Sequence, residues 1–99
     1  MARQECDYYD NKEIPDTIIP NTAIHYMRKN GICTVWATGM TTNITDYQLP
    51  EEMESPGYLV CASIYSVNTW FQVNHRRLDT SGVGSSAPLY GVLTYPAVN

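Results

Sequence analysis

Basic charge is scarce in this 99-residue sequence: six Lys and Arg stand against ten Asp and Glu, for a net charge of −4. Proteins that grip nucleic acid neutralise phosphate with Lys and Arg, so this balance argues against such a partner and describes an ordinary acidic surface. Cysteine is sparse and odd in number. Cys6, Cys33 and Cys61 lie far apart with no C-x-x-C pair. That pattern matches neither the close ligand pairs of a structural zinc site nor a disulfide framework, so free thiols are favoured over a single bridge. The two histidines, His25 and His75, are fifty positions apart, and no metal or other cofactor is expected. No run of about 18 apolar residues exists to cross a membrane. The opening "MARQECDYYD" lacks the apolar stretch of a secretory signal.

Helical periodicity and catalytic constellations are equally thin. The nearest approach to a helix is "LPEEME", where Pro50 can open a single turn with Glu51 and Glu52 at its N-terminus. Those glutamates and Glu54 are adjacent on one turn, whereas glycoside cleavage needs two acids across a cleft. The serines at 81, 85 and 86 fall in "SGVGSSAP", a loop by composition with no nucleophile elbow. Gly82-x-Gly84 in the same loop is followed by neither a helix nor a Lys-Ser/Thr pair, so it is no phosphate cradle. The expectation is a protein that is not an enzyme.

What is present is β-forming sequence. A hydrophobic content of 43% with 11% aromatics excludes a disordered chain, and the length fits one domain. A chain this short buries only about two-thirds of its unfolded surface, so subunit association would help it. Residues 1–20, with five acids, two bases and two prolines, read as an extended N-terminal lead-in or linker. Ile14, Ile18 and Ile19 are too apolar for a solvated tail and predict that part of it docks. Residues 21–99 read as the β domain, with strands expected at Ile24–Lys29, Ile32–Thr38, Tyr58–Val67, Trp70–Val73, Arg76–Asp79 and Leu89–Tyr95. Short strands without intervening helices give an all-β fold: an antiparallel β-sandwich, jelly-roll-like, behind the extended lead-in.

The sharpest local signal is "IHYMRKNGICTVWATGM", two β-rich runs around Asn30–Gly31, the pair that favours a two-residue hairpin turn. Such a turn sets Lys29 opposite Ile32, Tyr26 opposite Val35, His25 opposite Trp36 and Ile24 opposite Ala37. Ile24, Tyr26, Cys33, Val35 and Ala37 then share one face, which reads as core. His25, Met27, Thr34, Trp36 and Thr38 share the other. A three-residue turn would instead set Trp36 against Ile24, inside.

Three blocks in order, "YMRKNGICTVWATG", "LPEEMESPGYLVCASI", and the closing pair "RRLDTSG" and "PLYGVLTYPAV", resemble the small β-sandwich domains near the C-termini of bacteriophage tail fibres, baseplate proteins and receptor-binding proteins. The resemblance covers residues 24–97. One departure is "EEMES", where such domains carry Gly, an aromatic and Arg, so the basic residue before the second Pro is missing. The resemblance implies a homotrimer in the virion, in company with other phage tail proteins, that binds a bacterial cell-surface glycan at loops or between subunits. It equally accommodates a trimerising cap or spacer that touches no receptor.

Two places suit a saccharide, which stacks its C–H face on an aromatic ring while polar side chains take its hydroxyls. One is the cross-strand pair of His25 and Trp36; the competing reading buries Trp36 against a second sheet or a neighbouring subunit. The other is "NTWFQVNHRR", where Trp70, Asn74, His75 and Arg76 join an aromatic to donors, and Arg forks onto carboxylate or phosphate. The competing reading there is a solvated edge strand. Trp70 and Arg76 rank first as ligand-binding residues, then Trp36, His25, Asn74 and His75. Within Trp70–Val73, alternation assigns Phe71 and Val73 to the core.

Overall fold

The computed structural model describes residues 10–99. Among the described residues eight strands fold in chain order: β1 (Ile14–Ile18), β2 (Ile24–Lys29), β3 (Ile32–Met40), β4 (Tyr47–Gln48), β5 (Tyr58–Ser63), β6 (Ser66–Asn74), β7 (Arg77–Ser81) and β8 (Leu89–Pro96). A single 3-10 turn, Glu51–Met53, follows Pro50 at the "LPEEME" stretch. The strands form two antiparallel sheets, β1-β2-β3-β8 and β4-β7-β6-β5. Hairpins β1-β2-β3 and β5-β6-β7 build most of each sheet, and crossovers deliver β4 and β8 to the sheet they did not start from.

The central hairpin has the register that a two-residue turn dictates. His25 pairs with Trp36, Tyr26 with Val35 and Lys29 with Ile32. Asn30 and Gly31 both take positive φ, 52° and 77°, the backbone that a type I′ turn requires. Ile24, Tyr26, Cys33, Val35 and Ala37 are all buried, and they meet Phe71, Val73, Leu78 and Leu89 in the core. Burial pushes the Cys33 thiol up to about 11, so it packs as a small hydrophobe. Cys33 and Cys61 are both free; Cys6 lies outside the described residues. At Gly91 a Cβ would fall 2.7 Å from the Cys61 sulfur and 3.3 Å from Phe71. The missing side chain lets β8 close onto β5 and β6.

Three strand expectations are corrected. Tyr58–Val67 is not one strand: the chain turns at Ile64–Tyr65 between β5 and β6. Ser63 explains the break, since its hydroxyl donates to the Pro88 carbonyl and accepts the amides of Tyr65 and Tyr90, giving the turn the side-chain partner that an Asn or Asp would otherwise supply. Arg76 belongs to the turn between β6 and β7, where His75 adopts φ 57°. Ile14–Ile18, within the lead-in, forms β1 and pairs with β2 across a register shift. Ile19, just beyond it, is buried, while Ile18 is exposed.

A buried ion pair ties one end of the sandwich together. Arg28, 1% exposed, donates from Nε to Asp10 at 3.1 Å, from one terminal nitrogen to the Glu52 carbonyl at 2.9 Å and from the other to the Asn99 carbonyl at 2.8 Å. Asp10 also accepts the Gly31 and Lys12 amides. Burial by itself raises the Asp10 carboxyl. The Gly31 amide, Arg28 and the Lys12 amide outweigh it and hold the group below its ordinary range. Tyr95 is buried beside them and donates to the Met53 carbonyl at 2.7 Å. One arginine therefore joins the residues before β1, the 3-10 turn and the chain after β8.

Candidate functional site

The His25–Trp36 pair lies on the outer face of the first sheet. Register aligns Ile18, His25, Trp36 and Val92 in one row across four strands. The two rings stack with centroids 5.0 Å apart and planes 14° from parallel. Asp16 holds His25, its carboxylate 2.8 Å from Nδ1, which leaves Nε2 as the ring nitrogen open to a ligand. Trp36 is half-buried, and its row-mates Ile18 and Val92 are 52% and 60% exposed. The two-residue turn decides this arrangement, because a one-residue slip would exchange the faces.

The next row toward the β5–β6 turn pairs Thr38 with Tyr90. Tyr90 meets Tyr65 of that turn with centroids 5.5 Å apart, and the Ile64 amide donates to the Tyr90 carbonyl at 3.2 Å. Aromatic surface therefore continues from Trp36 toward this end of the sandwich. Tyr90 and Tyr65 were not among the expected site residues. Alternation in "PLYGVLTYPAV" does separate Tyr90 and Val92 from Leu89 and Leu93, but Tyr65 reaches Tyr90 only because the chain turns at Ile64–Tyr65, a turn that carries no Gly or Pro.

The second group does not assemble into one site. Trp70 faces outward from the second sheet, paired with Ala62 and Ser81, and so occupies the opposite outer face from Trp36. Beside it runs a polar chain: Tyr58 donates to Gln72, Gln72 to Asp79 at 3.2 Å, and Arg77 lies 2.9 Å from Asp79 and 2.7 Å from Asp46. Burial raises the Asp79 carboxyl, but the Asp46 amide, Gln72 and Arg77 bring it below its ordinary range. Asn74 is half-buried at the strand end, paired with Tyr58 and Arg77. Four residue steps along β6, about 13 Å, separate it from Trp70. Arg76 is turned toward its own fold, its Nε donating to the Leu49 carbonyl at 3.0 Å. His75 is exposed, 3.9 Å from Glu54.

Among the described residues no group of His, Cys, Asp and Glu could hold a metal ion, and no helix is long and apolar enough to cross a membrane. Comparison with protein-family models, with curated proteins and with solved structures finds no match to this chain.

Proposed function

We propose that this domain is a non-enzymatic adhesion module of a phage tail, which binds a bacterial surface saccharide as a homotrimer through the outer face of its first sheet. The observation that carries the reading is the Trp36 ring, stacked on His25 in an outward-facing row instead of sealed in the core. A sugar lays its C–H face against the exposed part of such a ring, and His25 Nε2 takes a hydroxyl while Asp16 fixes the imidazole. Single contacts of this kind are weak. Three copies in one trimer, and several trimers in one virion, lengthen residence through effective concentration. A glycan array probed with the chain and with Trp36→Ala tests the reading: binding by the first and its loss in the second are expected. An array without hits overturns saccharide adhesion, and a monomeric mass by light scattering overturns the trimer.

A second reading has its own support. Ile64, Tyr65 and Val67, at the β5–β6 turn, are 78%, 62% and 81% exposed, a concentration of apolar surface that suits subunit contact. A trimerising cap or spacer without a receptor would use them so. A stable trimer combined with an empty array favours this alternative.

A further inference from the structure

We infer that the end of the sandwich bearing the β1–β2 turn holds a second subsite, a depression that takes a single uncharged, polyhydroxylated ring, such as a neutral sugar residue. The inference rests on the adhesion reading for its setting and adds a location and a charge class. The depression measures about 250 Å³ and lies between the β1–β2 turn and the exit of β3, lined by Asn21, Thr22, Gly39, Met40, Thr41 and Thr42. Small-molecule sites usually span about 300–1,000 Å³, so this one suits one ring and not a chain of them.

Its floor is fixed. The Thr22 hydroxyl donates to the Ile19 carbonyl at 2.8 Å and accepts the Ile24 amide at 3.1 Å, and the Met40 sulfur accepts the Ala23 amide at 3.3 Å. Gly39 takes φ 106° at the register shift in β3, and a Cβ there would fall 2.7 Å from the Tyr90 hydroxyl. The glycine thus makes room for the Tyr90 phenol packed beside it. Around this floor the side chains of Asn21, Thr41 and Thr42 make no hydrogen bond to any described residue, and they offer the mixed donors and acceptors that sugar hydroxyls need. No lining residue is charged. A carboxylate or phosphate would lose water there and gain no counter-charge. The Trp36–Val92 row lies one pleat repeat, about 7 Å, from the Thr38–Tyr90 row on the same face. One oligosaccharide can therefore reach both the depression and Trp36.

The test is a ¹⁵N NMR titration of the whole chain with galactose, mannose, N-acetylglucosamine and glucuronate. At least one neutral sugar should shift the amides of Gly39, Thr41 and Thr42, with glucuronate leaving them in place. The exposed double variant Thr41→Val/Thr42→Val should keep the folded spectrum and weaken that binding by about tenfold. Still amides at 39–42 with every neutral sugar, equal response to glucuronate, or undiminished binding in the double variant each overturn the subsite. The Trp36 indole signal separates the two claims. Movement there with 39–42 unmoved sinks the depression and leaves the platform, and the converse sinks the platform and leaves the depression.

Discussion

At the end of the sandwich that carries the Asn30–Gly31 turn, polar groups are buried and engaged: Arg28 with Asp10, Glu52 and Asn99, and Tyr95 with Met53. At the other end the side chains of Asn21, Thr41, Thr42 and Tyr90 make no hydrogen bond among the described residues, next to the exposed Ile64, Tyr65 and Val67. Similar residue types do different work at the two ends. The closed end holds together segments distant in sequence. The open end leaves rings and hydroxyls free to meet something else, so the substitutions that unfold the protein and those that blind it should be different substitutions.

The largest expected effect is at Arg28. Arg28→Met leaves the Asp10 carboxylate without its counter-charge, and losing one partner of a buried pair costs about 3–5 kcal/mol. Thermal melting should fall by at least about 12 °C. A smaller loss would mean that the closed end is held by its apolar contacts alone. Gly91→Val comes next. Its added methyls meet Cys61 and Phe71, and overpacking of this kind costs about 1–3 kcal/mol, to be read from the urea midpoint. A neutral outcome would show that β8 can shift on β5 without penalty.

Acid should act more gradually, on Asp10 at the closed end and on Asp79 in the second sheet. Asp10 and Asp79 both hold their carboxyls below the ordinary range, so each releases its proton more readily folded than unfolded. Their stabilising contribution is complete above the unfolded value, near pH 4, and is lost as pH falls through the folded values. Melting followed from pH 6 to pH 2 should therefore decline below about pH 4, with a shallower slope in Asp10→Asn. An unchanged slope in that variant would remove Asp10 from the acid response. The smallest effect on stability belongs to Trp36→Ala, which removes a half-exposed cross-strand partner worth about 0.2–1 kcal/mol.

Local sequence carried the parts of the fold that local chemistry decides. Asn30–Gly31 set the hairpin register, and with it the core face Ile24, Tyr26, Cys33, Val35 and Ala37 and the outward pairing of His25 with Trp36. Alternation assigned Phe71 and Val73 correctly to the interior. What stayed hidden depends on contacts between remote segments. Ser63 turns the chain through its hydroxyl contacts with Pro88 and Tyr90, so β5 and the first residues of β6, Ser66 and Val67, read as one strand. The Arg28 cluster gathers residues 10, 52 and 99, a meeting that no spacing announces. "NTWFQVNHRR" looks like one patch in sequence, yet the pleat and the turn at His75–Arg76 set Trp70 on a face and Arg76 against Leu49.

The separation of the two ends is tested most directly by melting the chain, Arg28→Met and Trp36→Ala, each with and without a neutral sugar that moves both the amides at 39–42 and the Trp36 indole signal. A ligand that binds only the folded state raises the melting temperature by mass action. Arg28→Met should melt lower than the parent chain yet keep the sugar-induced rise, while Trp36→Ala should melt close to the parent and show a reduced rise. Arg28→Met losing the rise, or Trp36→Ala melting as low as Arg28→Met, would show that the two ends are not separate.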